Sequence, residues 1–135
     1  MPGSFFDTNV LLYAASTDES KANMAEALME GGGTISVQVL NEVTNVARRK
    51  MRLSWPETRQ FLSTIREVMV VRPITIETHD LGLEVAERYG LSTFDAMIAA
   101  TALQADCDTL WSEDMQEGLL VDRRLRVRNP FRASR

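Results

Sequence analysis

Short apolar or β-branched runs alternate along this chain with segments whose apolar residues recur every three to four positions. That alternation limits the fold more than any other feature. Strands separated by helices pair in parallel, because the helix supplies the crossover, and a parallel sheet needs helices on both faces. An opening strand lies in "SFFDTNVLLYA", residues 4–14. Ser20 is placed to cap a helix over "KANMAEALME", glycines 31–33 stop it, and "TISVQV" follows as a strand. From about Val39, Leu40, Val43, Val46 and Ala47 recur at helical spacing up to a basic knot, which suits a helix C-terminus. Ser54 and Glu57 form a capping box for the next helix, whose Phe61, Leu62 and Ile65 face inward.

"VMVVRPI" then reads as a buried strand, and a helix from Ile76 to Tyr89 ends at Gly90. Ser92 or Thr93 caps "FDAMIAATALQA", which is apolar on nearly every side and therefore expected to be buried all round. "DTLWSED" is a short strand with acids at its exit. In "RLRVRNPF" leucine and valine alternate with arginine, the pattern of a strand with one wet face, expected at the sheet edge. The expectation is an α/β protein, a three-layer α/β/α sandwich with a central, mainly parallel sheet. With 135 residues, 44% of them hydrophobic, and no repeat or linker-like tract, residues 1–135 read as one domain.

A lone cysteine, Cys107, and the lack of a leader pattern suit a reducing cytoplasm, and Asp7 and Asn9 interrupt the one early apolar run, so no membrane span is expected. His79, the only histidine, reads as a surface residue and Cys107 as a small buried one. Trp55 and Trp111 read as core. The net charge of −4 argues against a nucleic-acid partner at first sight. The charge is unevenly distributed, however. Arg48, Arg49, Lys50 and Arg52 form the basic knot, and "RRLRVRNPFRASR" carries six arginines without an acid. Both clusters suit either a solvated face, an RNA backbone or an acidic partner segment.

Asp7 sits in the middle of an apolar run, where burial of a carboxylate is costly unless something compensates for it. In parallel α/β sheets functional groups collect at the carboxyl ends of strands. Topology brings Glu42, Asp95 and Asp114 to the same rim. Each also has a structural reading: Asp7 as a helix N-cap, Asp95 as a first-turn acid favoured by the dipole, Glu42 on a solvated face, Asp114 in an ordinary loop. If the four share a pocket, each pair at ~4 Å repels by roughly 1 kcal/mol in water and about 4 kcal/mol at an effective dielectric of 20. Cations or protons must relieve that. An all-oxygen set selects Mg²⁺ or Mn²⁺ over zinc, and the 19 acids and 15 bases of the chain balance once these four are set aside. Tyr13 and Phe94 neighbour the acids closely enough to be considered for base stacking.

Taken in order, "FFDTNVLLYA", "SVQVLNEVTNVARRK", "YGLSTFDAMIAATAL", "CDTLWSEDMQ" and "VRNPF" resemble PIN-domain proteins, in particular the VapC type of toxin from bacterial type II toxin-antitoxin systems. The resemblance spans nearly the whole chain. It implies a PIN-like fold and a Mg²⁺- or Mn²⁺-dependent endoribonuclease whose three family acids fall on Asp7, Glu42 and Asp95, with a more variable fourth on Asp114. Ser112 matches a small hydroxyl residue beside that fourth acid, and Glu113 is placed to assist or replace Asp114. The resemblance also implies an RNA substrate, a cognate antitoxin protein and a homodimer. Two other classes fit less well. A phosphate-accepting signalling domain calls for a late lysine, and none follows Lys50; an Asp-x-Asp phosphatase calls for an acid where Asn9 stands. A PIN-like module that binds RNA or a partner without cutting is the alternative reading.

Overall fold

The computed structural model describes residues 3–132. The opening apolar run divides in two. Residues Ser4–Phe6 form strand β1, and Thr8–Tyr13 form a short helix, α1, with Asp7 as its N-cap. An apolar run of this length is compatible with either state, and the cap at Asp7 decides where one gives way to the other. Helix α2 spans Glu19–Glu30 and is capped by Asp18, whose side chain accepts from the Lys21 amide, so the helix starts ahead of Ser20. Strand β2, Gly33–Ser36, is shorter than expected because Ser36 caps helix α3, Val37–Arg49, through the Val39 amide.

Helix α4, Trp55–Val68, has the expected capping box between Ser54 and Glu57. Strand β3 is Met69–Arg72, and α5, Ile76–Tyr89, ends in a left-handed Gly90 at φ 68°. Helix α6, Thr93–Gln104, is capped by Ser92 and buries every residue from Ala96 to Leu103. Strands β4, Thr109–Trp111, β5, Leu120–Val121, and β6, Leu125–Arg128, complete the sheet, and Pro130–Arg132 form a 3-10 turn.

The sheet order is β3-β2-β1-β4-β6-β5, and every pair is parallel except β5 with β6. Two positions differ from expectation. β3 is an edge strand with Val70 60% exposed, not a buried one, and β6 lies inside the sheet because the two-residue β5 covers its outer side. The successive residues Phe5 and Phe6 point to opposite faces of β1 and are both buried, so helices cover the sheet on both sides. Helix α1 packs on α2 and α3, α3 on α4, and α5 on α6, which with the buried sheet gives the α/β/α layering. Among the described residues no helix is long and apolar enough to cross a membrane.

The chain leaves β1 toward β2 on one side, while β4 lies on the other. Because of this reversal the connections that leave β1 and β4 run in opposite directions, and a crevice opens beside the paired strand ends. Asp7 directly follows β1, and its amide donates to the Trp111 carbonyl at the end of β4, 2.9 Å away.

Candidate active site

A cleft of about 1030 Å³ occupies this switch point, and Asp7, Glu42, Asp95 and Asp114 all line it. They arrive from four elements: the end of β1, the middle of α3, the first turn of α6 and the loop after β4. The lining also includes Gln38, Asn41 and Asn45 of α3, Lys50 at its C-cap, and Ile74 and Phe94.

Asp7 is buried, at 4% exposure, and among the described residues no basic side chain pairs with it. Its Oδ1 accepts from the Thr8 amide at 2.7 Å, and its Oδ2 from the Ser112 hydroxyl at 2.8 Å and the Asn9 side-chain amide at 3.2 Å. Burial nevertheless dominates these bonds. Desolvation, aided by the charges of Asp95 and Glu42, pushes the Asp7 carboxyl up to about 6. The N-cap reading of Asp7 is therefore correct as far as it goes, since one oxygen caps α1, yet capping alone leaves the charge undercompensated.

Asp95 occupies the third position of α6, where its amide donates to Ser92 Oγ at 3.2 Å. A first-turn acid on a helix should be held low by the dipole. Here desolvation raises its pKa, with the charges of Asp114 and Glu42 adding to the effect. Glu42 accepts from Thr8 Oγ1 at 2.6 Å and from Gln38 Nε2 at 3.0 Å, and Asp114 accepts from Asn9 Nδ2 at 3.1 Å. Three ion pairs occur among the described residues, Lys21–Glu113, Arg124–Asp106 and Arg124–Asp122, and none includes the four acids.

Asn9 emerges as a residue that sequence reasoning did not weigh for the site. Its nitrogen lies between Asp7 and Asp114, and its oxygen accepts from the Glu113 amide at 3.0 Å, which fixes the orientation of the side-chain amide. The signal was its place two residues after Asp7. Ser112, fully buried, turns its hydroxyl toward Asp7 and also accepts from the Met115 amide at 3.2 Å. Glu113 points away from the cleft, bonded to Lys21 Nζ at 2.8 Å and to the Tyr13 hydroxyl at 2.9 Å.

Tyr13 accordingly belongs to a second, smaller hollow beside Glu113, where its ring meets Phe131 edge-on at 4.8 Å, away from the acids. Phe94 remains at the cleft, 68% exposed. Of the basic knot only Lys50 lines the cleft; Arg48 lies over the Trp55 ring at 4.3 Å, and that tryptophan is half exposed, not core. In the arginine-rich tail, Arg124 faces Asp106 and Asp122, Arg126 donates to the Gly118 carbonyl, and Arg135 lies outside the described residues. His79 is exposed and Cys107 buried, as expected.

The four acids fit a hard divalent cation in donor chemistry, being all oxygen, negative and without a basic partner. Their present spacing is open: among the described residues no three histidine, cysteine or carboxylate side chains form a ready metal cluster. Hydrogen bonds to Thr8, Asn9 and Gln38 hold Glu42 and Asp114 in this spread arrangement.

The architecture has relatives. The Mycobacterium tuberculosis toxin VapC20, described as cleaving the sarcin-ricin loop, superposes with a TM-score of 0.66 at 19% identity, over 82% of this chain and 91% of that one. A toxin-antitoxin complex from Klebsiella pneumoniae gives 0.73 at 20% identity over 94% and 97%, and VapBC2 from Rickettsia felis, bound to a promoter DNA fragment, gives 0.67 at 21% over 93% and 97%. At these identities the likeness is one of fold. No curated protein matches the chain. The sequence model of the PIN domain matches residues 4–116, which contain all four acids, and the chain therefore belongs to the PIN domain family.

Proposed function

We propose that this protein is a Mg²⁺- or Mn²⁺-dependent endoribonuclease, the toxin of a toxin-antitoxin pair, acting in the cytoplasm. The observation that carries the reading is the set of four carboxylates without a basic partner, around a buried Asp7 whose charged form is disfavoured, at the switch point of the sheet. Asp7 and Asp95 would be the principal ligands, with Glu42 and Asp114 completing the set. When bound, the cation would polarise the scissile phosphate and lower the pKa of the attacking water.

The chain's own residues do the rest. Thr8 and Gln38 steer the two oxygens of Glu42, Asn9 bridges Asp7 and Asp114, and Ser112 fixes the rotamer of Asp7. With His79 exposed and outside the residues that line the cleft, no imidazole serves as base there. Hydrolysis breaks the phosphorus–oxygen bond to one sugar while water adds to phosphorus. Structural neighbours that are toxin-antitoxin complexes support an antitoxin partner, and the resemblance to VapC-type toxins adds a homodimer to the reading.

The test is cleavage of labelled single-stranded and folded RNAs by the purified protein with Mg²⁺, Mn²⁺ or EDTA, beside Asp95→Asn. Metal-dependent cleavage that the variant loses is expected. Folded protein that binds Mn²⁺ but cuts none of the RNAs would favour the binding-module alternative, which the open spacing of the acids suits.

A further inference from the structure

The cleft contains an apolar patch that carboxylates alone do not explain. Phe94 is 68% exposed, Val37 43% and Ile74 39%, and all three line the same hollow as the four acids. Single exposed apolar side chains are ordinary, but three converging on a polar cleft mark a surface made for contact. Asn41 and Asn45 follow Val37 along α3 at spacings of four and eight, which puts the three on one face of the helix, and both amides line the same cleft, with Lys50 its one cation. Phe94 directly precedes Asp95, so their Cα atoms lie ~3.8 Å apart. Gln38 ties the patch to the acids as well, its Nε2 donating to Glu42 Oε2 at 3.0 Å and to the Phe94 carbonyl at 3.3 Å.

Resting on the nuclease reading above, we propose that Phe94 is a stacking platform for an unpaired base next to the scissile phosphate, with Asn41 and Asn45 facing that base or its sugar. A nucleobase is the occupant that the arrangement favours. It has an apolar face for the ring, edge donors and acceptors for the neutral amides, and a covalent link of one sugar to the phosphate that must reach the acids. A base held in a duplex is already stacked on both faces, so the platform selects single-stranded or looped RNA. With one cation in the cleft, attraction for the backbone is weak, and recognition depends on the base.

The experiment pairs protein and substrate changes. Cleavage of a single-stranded RNA is measured with wild type, Phe94→Ala and Phe94→Trp, on the intact strand and on strands made abasic at each position flanking the cut. Phe94→Ala should lower kcat/KM by about 5- to 150-fold on intact RNA, and Phe94→Trp should restore most of it. At one flanking position the abasic strand should be cut equally slowly by wild type and Phe94→Ala. A 2-aminopurine placed there should lose emission on binding wild type and keep it with Phe94→Ala. Because the ring is mostly exposed, thermal unfolding of the variants should match wild type. If wild type cuts RNA while Phe94→Ala cuts as fast and every abasic penalty is the same in both proteins, the platform is wrong and the nuclease stands. If wild type neither cuts nor binds any strand, both readings fall.

Discussion

The hydroxyl of Ser112 donates to Oδ2 of Asp7 at 2.8 Å, linking residues 105 positions apart across the exits of β4 and β1. Ser112 is fully buried, and its oxygen also accepts the Met115 amide. Ser112→Ala strands both partners in a place water reaches poorly, so it should destabilise the protein by about 1–3 kcal/mol. The Asp7 carboxyl should move further above its position near 6, because the hydroxyl is the strongest influence lowering it. Urea unfolding at fixed pH measures the first effect. A loss below about 0.5 kcal/mol would mean that neither bond is needed, since that is the range of ordinary surface changes.

Asp7 also makes the metal-free protein sensitive to pH in an unusual direction. Its folded pKa is raised from 3.8 to about 6, so the native state holds this proton more tightly than the unfolded chain. The resulting stability is fully present below pH ~4 and is lost as pH rises through 6, amounting to roughly 3 kcal/mol at most. Asp95 shifts in the same direction. In EDTA, this pair should make stability fall between pH 4 and 7, and Asp7→Asn should be more stable than wild type at pH 7. Denaturant midpoints across that window, with Mn²⁺ added at pH 7 as the converse, check it. A variant less stable than wild type at pH 7 would contradict the assignment.

Much of this was readable locally, and the misreadings have physical causes. The Ser54–Glu57 box, the left-handed stop at Gly90 and the buried α6 each depend on a few adjacent residues, which is why they were found. β5 was missed because two residues carry no period, and its pairing with β6 depends on a tight turn with Asp122 and Arg123 at positive φ. That omission put β6 at the edge. Trp55 looked like core because its side chain is large and apolar, whereas the first position of α4 faces solvent and Arg48 covers the ring. The four acids were readable from topology, since Asp7 and Asp114 follow strand exits, Asp95 opens α6, and Glu42 lies in the helix that follows β2. Asn9 was overlooked as a site residue because its role is visible only when Asp7, Glu113 and Asp114 surround it.

Asn9 should matter more to activity than to stability. It is half buried, and its nitrogen bridges two carboxylates that otherwise repel. Asn9→Ala removes that restraint, and loss of a residue that orients ligands commonly costs 10- to 100-fold in metal affinity or activity. Mn²⁺ titration followed by calorimetry should show a weakening in about that range, with a small change in unfolding midpoint. Unchanged Mn²⁺ affinity would remove Asn9 from the ligand-positioning set.

The adjacent acids Glu113 and Asp114 should behave oppositely. Lys21 bonds Glu113 at 2.8 Å and its Nζ also lies 4.5 Å from the Tyr13 ring centre and 5.1 Å from that of Phe131, so Glu113 anchors the loop to α2. The bond to Glu113 holds the Lys21 ammonium above its usual range. Glu113→Gln keeps the shape and one hydrogen bond, and because the pair is partly solvated its loss should change stability little. Cleavage should stay within about threefold of wild type, whereas Asp114→Asn, which alters a side chain lining the cleft, should lower it by at least tenfold, or about 1.4 kcal/mol in transition-state stabilisation. Parallel kcat/KM measurements on one RNA decide the matter. Equal losses would mean that the loop acts as a unit, and a larger loss in Glu113→Gln would move the fourth acid one residue toward β4.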